Sequence, residues 1–412
     1  MRGTARVLAL KTCLAGAPLV LLAACGGAPP PTTTGAGAGG GGKPQTDSSG
    51  KVVCEAGGPG VTDKTIRFGV SAELSGKAAL SGANAKKSLD LAVKNINESG
   101  GILGKQVEVI YNDNQSTNPG AVNALNKTLS SDNVFAVIGP IRSTQVLAMN
   151  ETIQGKQVPM LIGGTNATLT TEGKGLLFRF RPSDELTGSA MVSFAKEKFS
   201  PKKVAILHDS DAFGSGGAAL VEQAAKAAGM EVVQNASYTT GDKDYTAQLS
   251  AIKSADPDVL FTYATNSEDL VIFARQIQEL GVDATVVGSP SVTSEVTFDL
   301  GKQYVQGWYA VVDFLLGATP ANEKWAQEYE AVYGQKPDLF GAWQHDAMYF
   351  SKAALEKSGC DQKAFVKAMQ DVAYEGVQGP LKSNEKGDVN ANLYAVQVKG
   401  DEAVLMQKVE AK

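Results

Sequence analysis

Between Ile66 and Val287, short apolar runs alternate with longer segments whose apolar positions recur at helical spacing. Ile66 to Ser71 reads as a strand, and Gly82 to Glu98 as a helix with Leu89, Ala92, Val93 and Ile96 on one face. Gly100-Gly101 ends that helix, because glycine adopts the left-handed conformation of a C-terminal cap without steric cost. Strand Val107 to Tyr111 follows, then a helix from Pro119 to Ser131 whose proline sits where no N–H is needed. Val134 to Ile138, Pro159 to Ile162 and Leu176 to Phe180 read as further strands. The alternation then repeats: helix Asp184 to Phe199, strand Val204 to His208, helix Phe213 to Ala228, strand Glu231 to Gln234. Helix Tyr245 to Ser254, strand Val259 to Thr262, helix Ser267 to Leu280 and strand Thr285 to Val287 complete it. This pattern predicts an α/β fold of βαβ units, with parallel sheets covered by helices on both faces.

After Val287 the pattern changes. Gly307 to Phe314 is extended and apolar, Asn322 to Tyr333 and Ala342 to Lys357 are helical, and the tail from Gly379-Pro380 through Asn392 to Val398 and Val404 to Val409 resembles hairpin strands. No linear repeat is present, so the two α/β sets are expected to be structural copies rather than sequence copies.

A length of 412 residues implies roughly two to three domains, and 43% hydrophobic with 20% charged residues gives a globular chain with ample core. The net charge of −5 argues against a nucleic-acid partner. Arg2, Arg6 and Lys11 precede an apolar run from Cys13 to Leu22 of signal-peptide rather than membrane-spanning length. Leu22-Ala23-Ala24-Cys25-Gly26 then resembles a bacterial lipobox, which implies cleavage after residue 24 and lipidation of Cys25; a plain secretory signal is the alternative. Residues 25–60, rich in Pro, Thr, Gly and Ser, are expected to be a flexible tether. Export leaves Cys54 and Cys360 in an oxidising compartment, either paired or as two free or buried thiols.

The candidate chemistry gathers from Val134 to Thr170. Each of its two strands ends in glycine followed by hydroxyl residues: Gly139 with Ser143 and Thr144, then Gly163-Gly164 with Thr165 and Thr168. In open α/β sheets, ligands collect at the carboxyl ends of strands, where loops and helix N-termini expose N–H groups. The stretch is therefore expected to form one wall of a small-molecule site.

Five segments resemble one known family: DKTIRFGVSAELSG, AVKNINESGGILGKQVEVIYND, VIGPIRST, GDKDYTAQLSAIKSADPDVLF and GAWQHDAMYFSKAALEKSG. The chain from about Val61 is similar to type I periplasmic solute-binding proteins of the leucine/isoleucine/valine-binding family, the extracytoplasmic receptors of ABC importers. The resemblance implies two Rossmann-like lobes joined by three crossovers, near Arg181-Pro182, Val312-Asp313 and Val389-Asn390, with a solute in the cleft between them. It divides the chain into lobes of residues 61–181 with 314–388, and 182–313 with 389–412. It implies permease subunits as partners; with the lipid on Cys25, the protein is expected to be a monomer anchored outside the cell membrane, without cofactor or metal.

Residue by residue, the family's gripping serine matches Ser143, flanked by Ile141, Arg142 and Thr144, and its partners in the next loop match Gly163 and Thr165. Hydroxyls and N–H groups suit a carboxylate or amide oxygen; helix capping is the alternative use of Ser143 and Thr165. Ser81 stands where the family commonly has an aromatic, and Thr265 or Asn266 where it has another. Members that hold an α-ammonium usually carry an acid where this chain has Gly288-Ser289-Pro290-Ser291. A standard amino-acid zwitterion is thus in question unless Asp184 or Glu268 supplies the charge, and both are also ordinary first-turn residues. Arg142 suits a carboxylate lacking an ammonium if it faces the cleft, and is a solvated loop residue if it does not. His208-Asp209-Ser210-Asp211 lacks a second histidine at ligand spacing, and no G-x-S-x-G, P-loop or H-E-x-x-H motif occurs. Transport is the expected role, with a signalling sensor or a lipoprotein hydrolase as alternatives.

Overall fold

The computed structural model of the protein describes residues 42–409, so the expected leader and Cys25 lie outside the described residues. The first sheet collects β1 (Thr65–Ala72), β2 (Gln106–Asp113), β3 (Ala136–Ile138), β4 (Met160–Ile162) and β5 (Leu177–Arg179) in the order β2-β1-β3-β4-β5, all parallel. Between them run α1 (Ala79–Glu98), α2 (Asn118–Lys127), α3 (Ser143–Lys156) and a single turn, α4 (Leu169–Glu172). Every residue of β3 and β4 is buried, because helices cover both faces and leave no solvent side to alternate with.

The chain then builds a second sheet. α5 (Asp184–Phe199) leads to β6 (Lys203–Asp209), α6 (Ala212–Ala227), β7 (Glu231–Tyr238), α7 (Thr246–Ala255) and β8 (Val259–Tyr263). α8 (Ser267–Leu280), β9 (Thr285–Gly288), α9 (Glu295–Gly301) and β10 (Tyr309–Val312) follow. The chain returns to the first lobe for α10 (Pro320–Tyr333), α11 (Leu339–Ser358), α12 (Gln362–Asp371) and a separate hairpin, β11 (Ala373–Gly376) with β12 (Gly379–Lys382). It ends with β13 (Leu393–Lys399) and β14 (Glu402–Val409), antiparallel additions that complete the order β14-β13-β10-β9-β8-β6-β7.

α11 packs on α1, and Gly341 permits the approach: a Cβ there would lie 2.0 Å from Ser88 Oγ. Trp343 of α11 is fully buried in one core with Phe68, Leu89 and Phe350, which is how late sequence completes the first lobe. Asp346 in the same helix is scaffold: its carboxylate accepts the N–H groups of Val377 and Gln378 at 2.8 and 2.9 Å. The three crossovers lie side by side. Arg181 pairs with Asp313 at 2.6 Å, and Asn390 donates to Gln378 at 3.0 Å and to the Phe180 carbonyl at 3.5 Å.

Several expectations need correction. Residues 42–60 are not a free tether: Cys54 is bonded to Cys360 across 306 residues, and Gln45 donates to the Ser358 carbonyl at 3.0 Å. Local polar bonds and one covalent link hold this segment, neither of which composition displays; a link closing so long a loop typically contributes about 2–4 kcal/mol. The segment at Gly379 pairs with β11 rather than with Asn392 to Val398. β7 runs four residues past Gln234, because its outer half is an edge strand with mixed exposure rather than an apolar run. The late helix expected from Cys360 is α12, whose ten residues begin at Gln362 and are capped by Asp361, which accepts the Ala364 N–H at 2.8 Å.

Candidate functional site

Loops at the carboxyl ends of both sheets face one another. On the first lobe, β3 ends at Gly139, whose φ of +87° and approach to Ser71 (2.3 Å from a built Cβ to the carbonyl oxygen) admit no larger residue. α3 starts at Ser143, but Ser143 is not its cap. Arg142 occupies the cap position, and the Ser143 hydroxyl accepts the N–H groups of Thr165 and Asn166 at 3.2 and 3.1 Å. Its own proton remains free to donate. The Thr165 carbonyl in turn accepts from Asp184 N–H at 2.8 Å and from Arg179 at 2.9 Å, which fixes the second loop.

On the second lobe, Asp211 caps α6, with Oδ1 accepting from Phe213 and Gly214 at 2.9 and 3.1 Å and Oδ2 from the Thr265 hydroxyl at 2.9 Å. Asp209 behind it accepts the Thr265 N–H at 2.5 Å, and burial together with the adjacent Asp211 raises its carboxyl well above the usual range. Ser291 donates to the Ala264 carbonyl at 2.7 Å.

Between these walls lies a small cavity, with about 30 Å³ open to the centre of a water-sized sphere. Ser81, Ile141, Arg142, Ser143 and Thr165 line it from the first lobe, Phe213, Thr265 and Ser291 from the second, and Arg181 at the crossover. Arg142 is 7% exposed, so it is not a solvated loop residue. Its guanidinium crosses the cleft, donates to Asn266 Oδ1 and stands 3.8 Å from Asp211 Oδ2, while its Nε–H has no partner within the protein. Glu73 lies buried on the other side; burial raises its carboxyl against the attraction of Arg142.

Asp184 is the first residue of α5 and 1% exposed, whereas Ser183 is the cap. Its Oδ1 accepts from the Tyr263 hydroxyl at 2.9 Å; its Oδ2 makes no well-formed hydrogen bond, although the Thr165 hydroxyl lies near enough to stabilise the charge. Burial pushes this carboxyl up to about 6, opposed by the hydroxyls of Thr165 and Tyr263 and by Arg179 and Arg181. Thr165, Arg181 and Phe213 border both the cavity, which Arg142 lines, and a neighbouring closed crevice, which Asp184 lines.

Of the expected residues, Asp184 and Pro290 border the crevice rather than the cavity, Asn266 meets Arg142 outside the lining, and Gly163 and Thr144 reach neither. Gly163 is covered by Trp343, whose Cε2 would lie 2.6 Å from an added Cβ, and its N–H goes to the Pro140 carbonyl at 3.2 Å. It provides close packing rather than a ligand donor. Thr144, the second residue of α3, is half-buried and outside the lining. Pro290 opens a 3-10 turn facing the Asp184 crevice, and the next residue, Ser291, takes the lining position. Glu268 also stays outside the lining. The sequence reading missed Asp211, whose signal was the strand-end His-Asp-Ser-Asp run; among the described residues no three metal-ligating side chains converge there or elsewhere.

Residues 65–403 match the family model described as periplasmic binding protein. The chain belongs to the periplasmic binding protein family. Among its relatives, the leucine-, isoleucine-, valine-, threonine- and alanine-binding protein of Pseudomonas aeruginosa is 26% identical over 79% of this chain and 87% of its own length. Leu/Ile/Val-binding protein homolog 3 of Brucella melitensis is 28% identical over 80% and 90%. The crystal structure of a leucine binding protein from Thermotoga maritima superimposes with a TM-score of 0.78 at 22% identity, covering 84% of this chain and 99% of that one. A Rhodopseudomonas palustris ABC-transporter solute binding protein in complex with benzoate gives 0.78 at 21%, over 84% and 96%. These likenesses establish the two-lobed type I fold. This periplasmic binding protein is thus a solute-binding protein that works outside the cytoplasm.

Proposed function

We propose that this protein captures a small amino-acid zwitterion between its lobes and delivers it to the permease of an ABC importer, held at the membrane by a lipid on Cys25. The observation that carries the reading is the pair of opposite, buried groups with a free hydrogen-bonding atom each, Arg142 Nε–H at the cavity and Asp184 Oδ2 at the crevice that shares Thr165, Arg181 and Phe213 with it. Each such group costs about 1–3 kcal/mol while unsatisfied, so a solute that meets both recovers that energy on binding. The solute carboxylate takes the Ser143 hydroxyl proton and the Arg142 N–H, and its ammonium takes Asp184. The acid missing near Pro290 is then unnecessary, which removes the sequence-based objection to a zwitterion. Relatives whose names specify leucine, isoleucine and valine support the amino-acid class. Contacts from both lobes stabilise the closed form, and that is how binding is conveyed to a permease.

Calorimetric titration with an amino-acid panel tests the site: Asp184→Asn is expected to weaken binding of any amino acid that the wild type binds, and unchanged affinity removes Asp184 from the site. The anchor is tested separately by membrane fractionation. Cys25→Ser is expected to release the protein, and a variant that still sediments with membranes excludes the lipid.

A further inference from the structure

We propose that Asn166 is a positioning residue that couples the grip on the solute to closure of the lobes, and that the missing side chain at Gly216 is what admits it. The proposal rests on solute capture by lobe closure and not on which solute is held.

Every polar atom of Asn166 is engaged. Its N–H goes to the Ser143 hydroxyl at 3.1 Å, and its carbonyl accepts from Arg179 at 2.7 Å. Its Oδ1 accepts from the N–H and the hydroxyl of Thr168 at 3.1 and 3.2 Å, which aims Nδ2 at the second lobe, where it donates to the Ala212 carbonyl at 2.8 Å. Ala212 opens α6, and the next residue, Phe213, lines the cavity, as Thr165 beside Asn166 does from the first lobe. One residue thus holds the grip serine with its backbone and the opposite lobe with its side chain.

Gly216 points to the same contact independently. The first two turns of α6 carry three glycines, each less favourable in a helix interior than alanine. Two are explained within the second lobe: a Cβ built at Gly214 would lie 2.3 Å from Asp209 Oδ1, and one at Gly217 2.1 Å from Tyr263 Cε1. A Cβ at Gly216 would lie 2.5 Å from Asn166 Nδ2, and among the described residues it would touch Asn166 alone. No turn requires glycine there, because Gly216 lacks the positive φ that would exclude a side chain. Asn166 cannot turn aside from an added methyl without giving up its bonds to Thr168 and Ala212. A side chain at 216 therefore acts against the closed form alone, lowering the fraction competent to hold solute and the apparent affinity with it.

The test compares the mature wild type with Gly216→Ala, Asn166→Ala and the double variant, by urea unfolding without added solute and by calorimetry with the standard amino acids and benzoate. Gly216→Ala is expected to unfold at the wild-type urea midpoint or above it, yet to bind the tightest member of the panel about fivefold or more weakly. In the Asn166→Ala background the same substitution is expected to cost less than about twofold, because nothing is left to clash. A Gly216→Ala variant that binds as the wild type does, or whose loss persists in full without Asn166, overturns the proposal. Binding of no panel member contradicts the amino-acid reading instead, and the closed fraction from a dye pair spanning the lobes then replaces affinity. That fraction is expected to fall in Gly216→Ala, and equal fractions in wild type and variant overturn the proposal.

Discussion

Arg181 and Arg142 line the same cavity, yet their surroundings use them in opposite ways. Arg181 is clasped by Asp313 through two bonds of 2.6 and 3.2 Å; burial works against its charge, but the facing carboxylate outweighs burial and strengthens its hold on the proton. Arg142 approaches its carboxylate only to 3.8 Å, relies on a neutral amide for its other contact, and keeps one N–H unpartnered. Both are almost entirely buried, so exposure does not separate them. Completeness of pairing does. An ion pair that satisfies itself ties two crossovers together as scaffold, whereas one left incomplete beside a cavity is available to a solute.

The sharpest way to break this comparison is to truncate each arginine. Arg181→Ala strands Asp313 in a buried site and is expected to cost about 3–5 kcal/mol of stability in urea unfolding. Arg142→Ala is expected to cost clearly less, because Asp211 keeps its N–H and hydroxyl donors. Equal losses would mean that Arg142 is scaffold too. Next in size, Ser143→Ala and Thr165→Ala are each expected to weaken solute binding by about 1–3 kcal/mol in calorimetry, the range for a hydrogen bond to a charged group. Unchanged affinity in both would move the grip elsewhere.

A pH series sharpens the comparison from the acid side. The folded Asp184 carboxyl titrates near 6, above its ordinary value of 3.8. Between these values the native state holds a proton that the unfolded chain has released, so stability from this group is full below about pH 4 and lost as pH rises through 6. Buried Asp338 (about 6) and half-buried Glu295 (about 7) act in the same direction, so the melting temperature is expected to be higher at pH 5 than at pH 7.5. Solute binding runs the other way. An ammonium needs the ionised carboxylate, so affinity is expected to fall by up to about tenfold per unit below pH 6, and Asp184→Asn is expected to flatten that slope. A slope unchanged in the variant assigns the titration to another group.

The α/β alternation was legible because strands covered on both faces are continuous apolar runs, as β3 and β4 illustrate. The hydroxyl residues after strand-end glycines pointed to this region, and of them Ser143 and Thr165 line the cavity while Thr144 and Thr168 do not, a choice the spacing alone does not make. Gly163 was not: a glycine after a strand can expose an N–H or admit a neighbour, and only Trp343, far along the chain, decides between them. Arg142 remained ambiguous because its burial depends on Asp211 and Asn266, which the fold brings from two separate second-lobe loops. Asp184 was noticed but not resolved, since an ordinary first-turn acid and a buried carboxylate with a free oxygen share the same sequence.

The central claim is that the cleft recognises a zwitterion, with Asp184 on the ammonium. The most direct measurement compares, by calorimetry at pH 7.5, the affinity of the tightest-binding amino acid of a panel with that of the same molecule lacking only its α-amino group. The amino acid is expected to bind about tenfold or more tighter; a des-amino acid that binds equally well or better contradicts the claim.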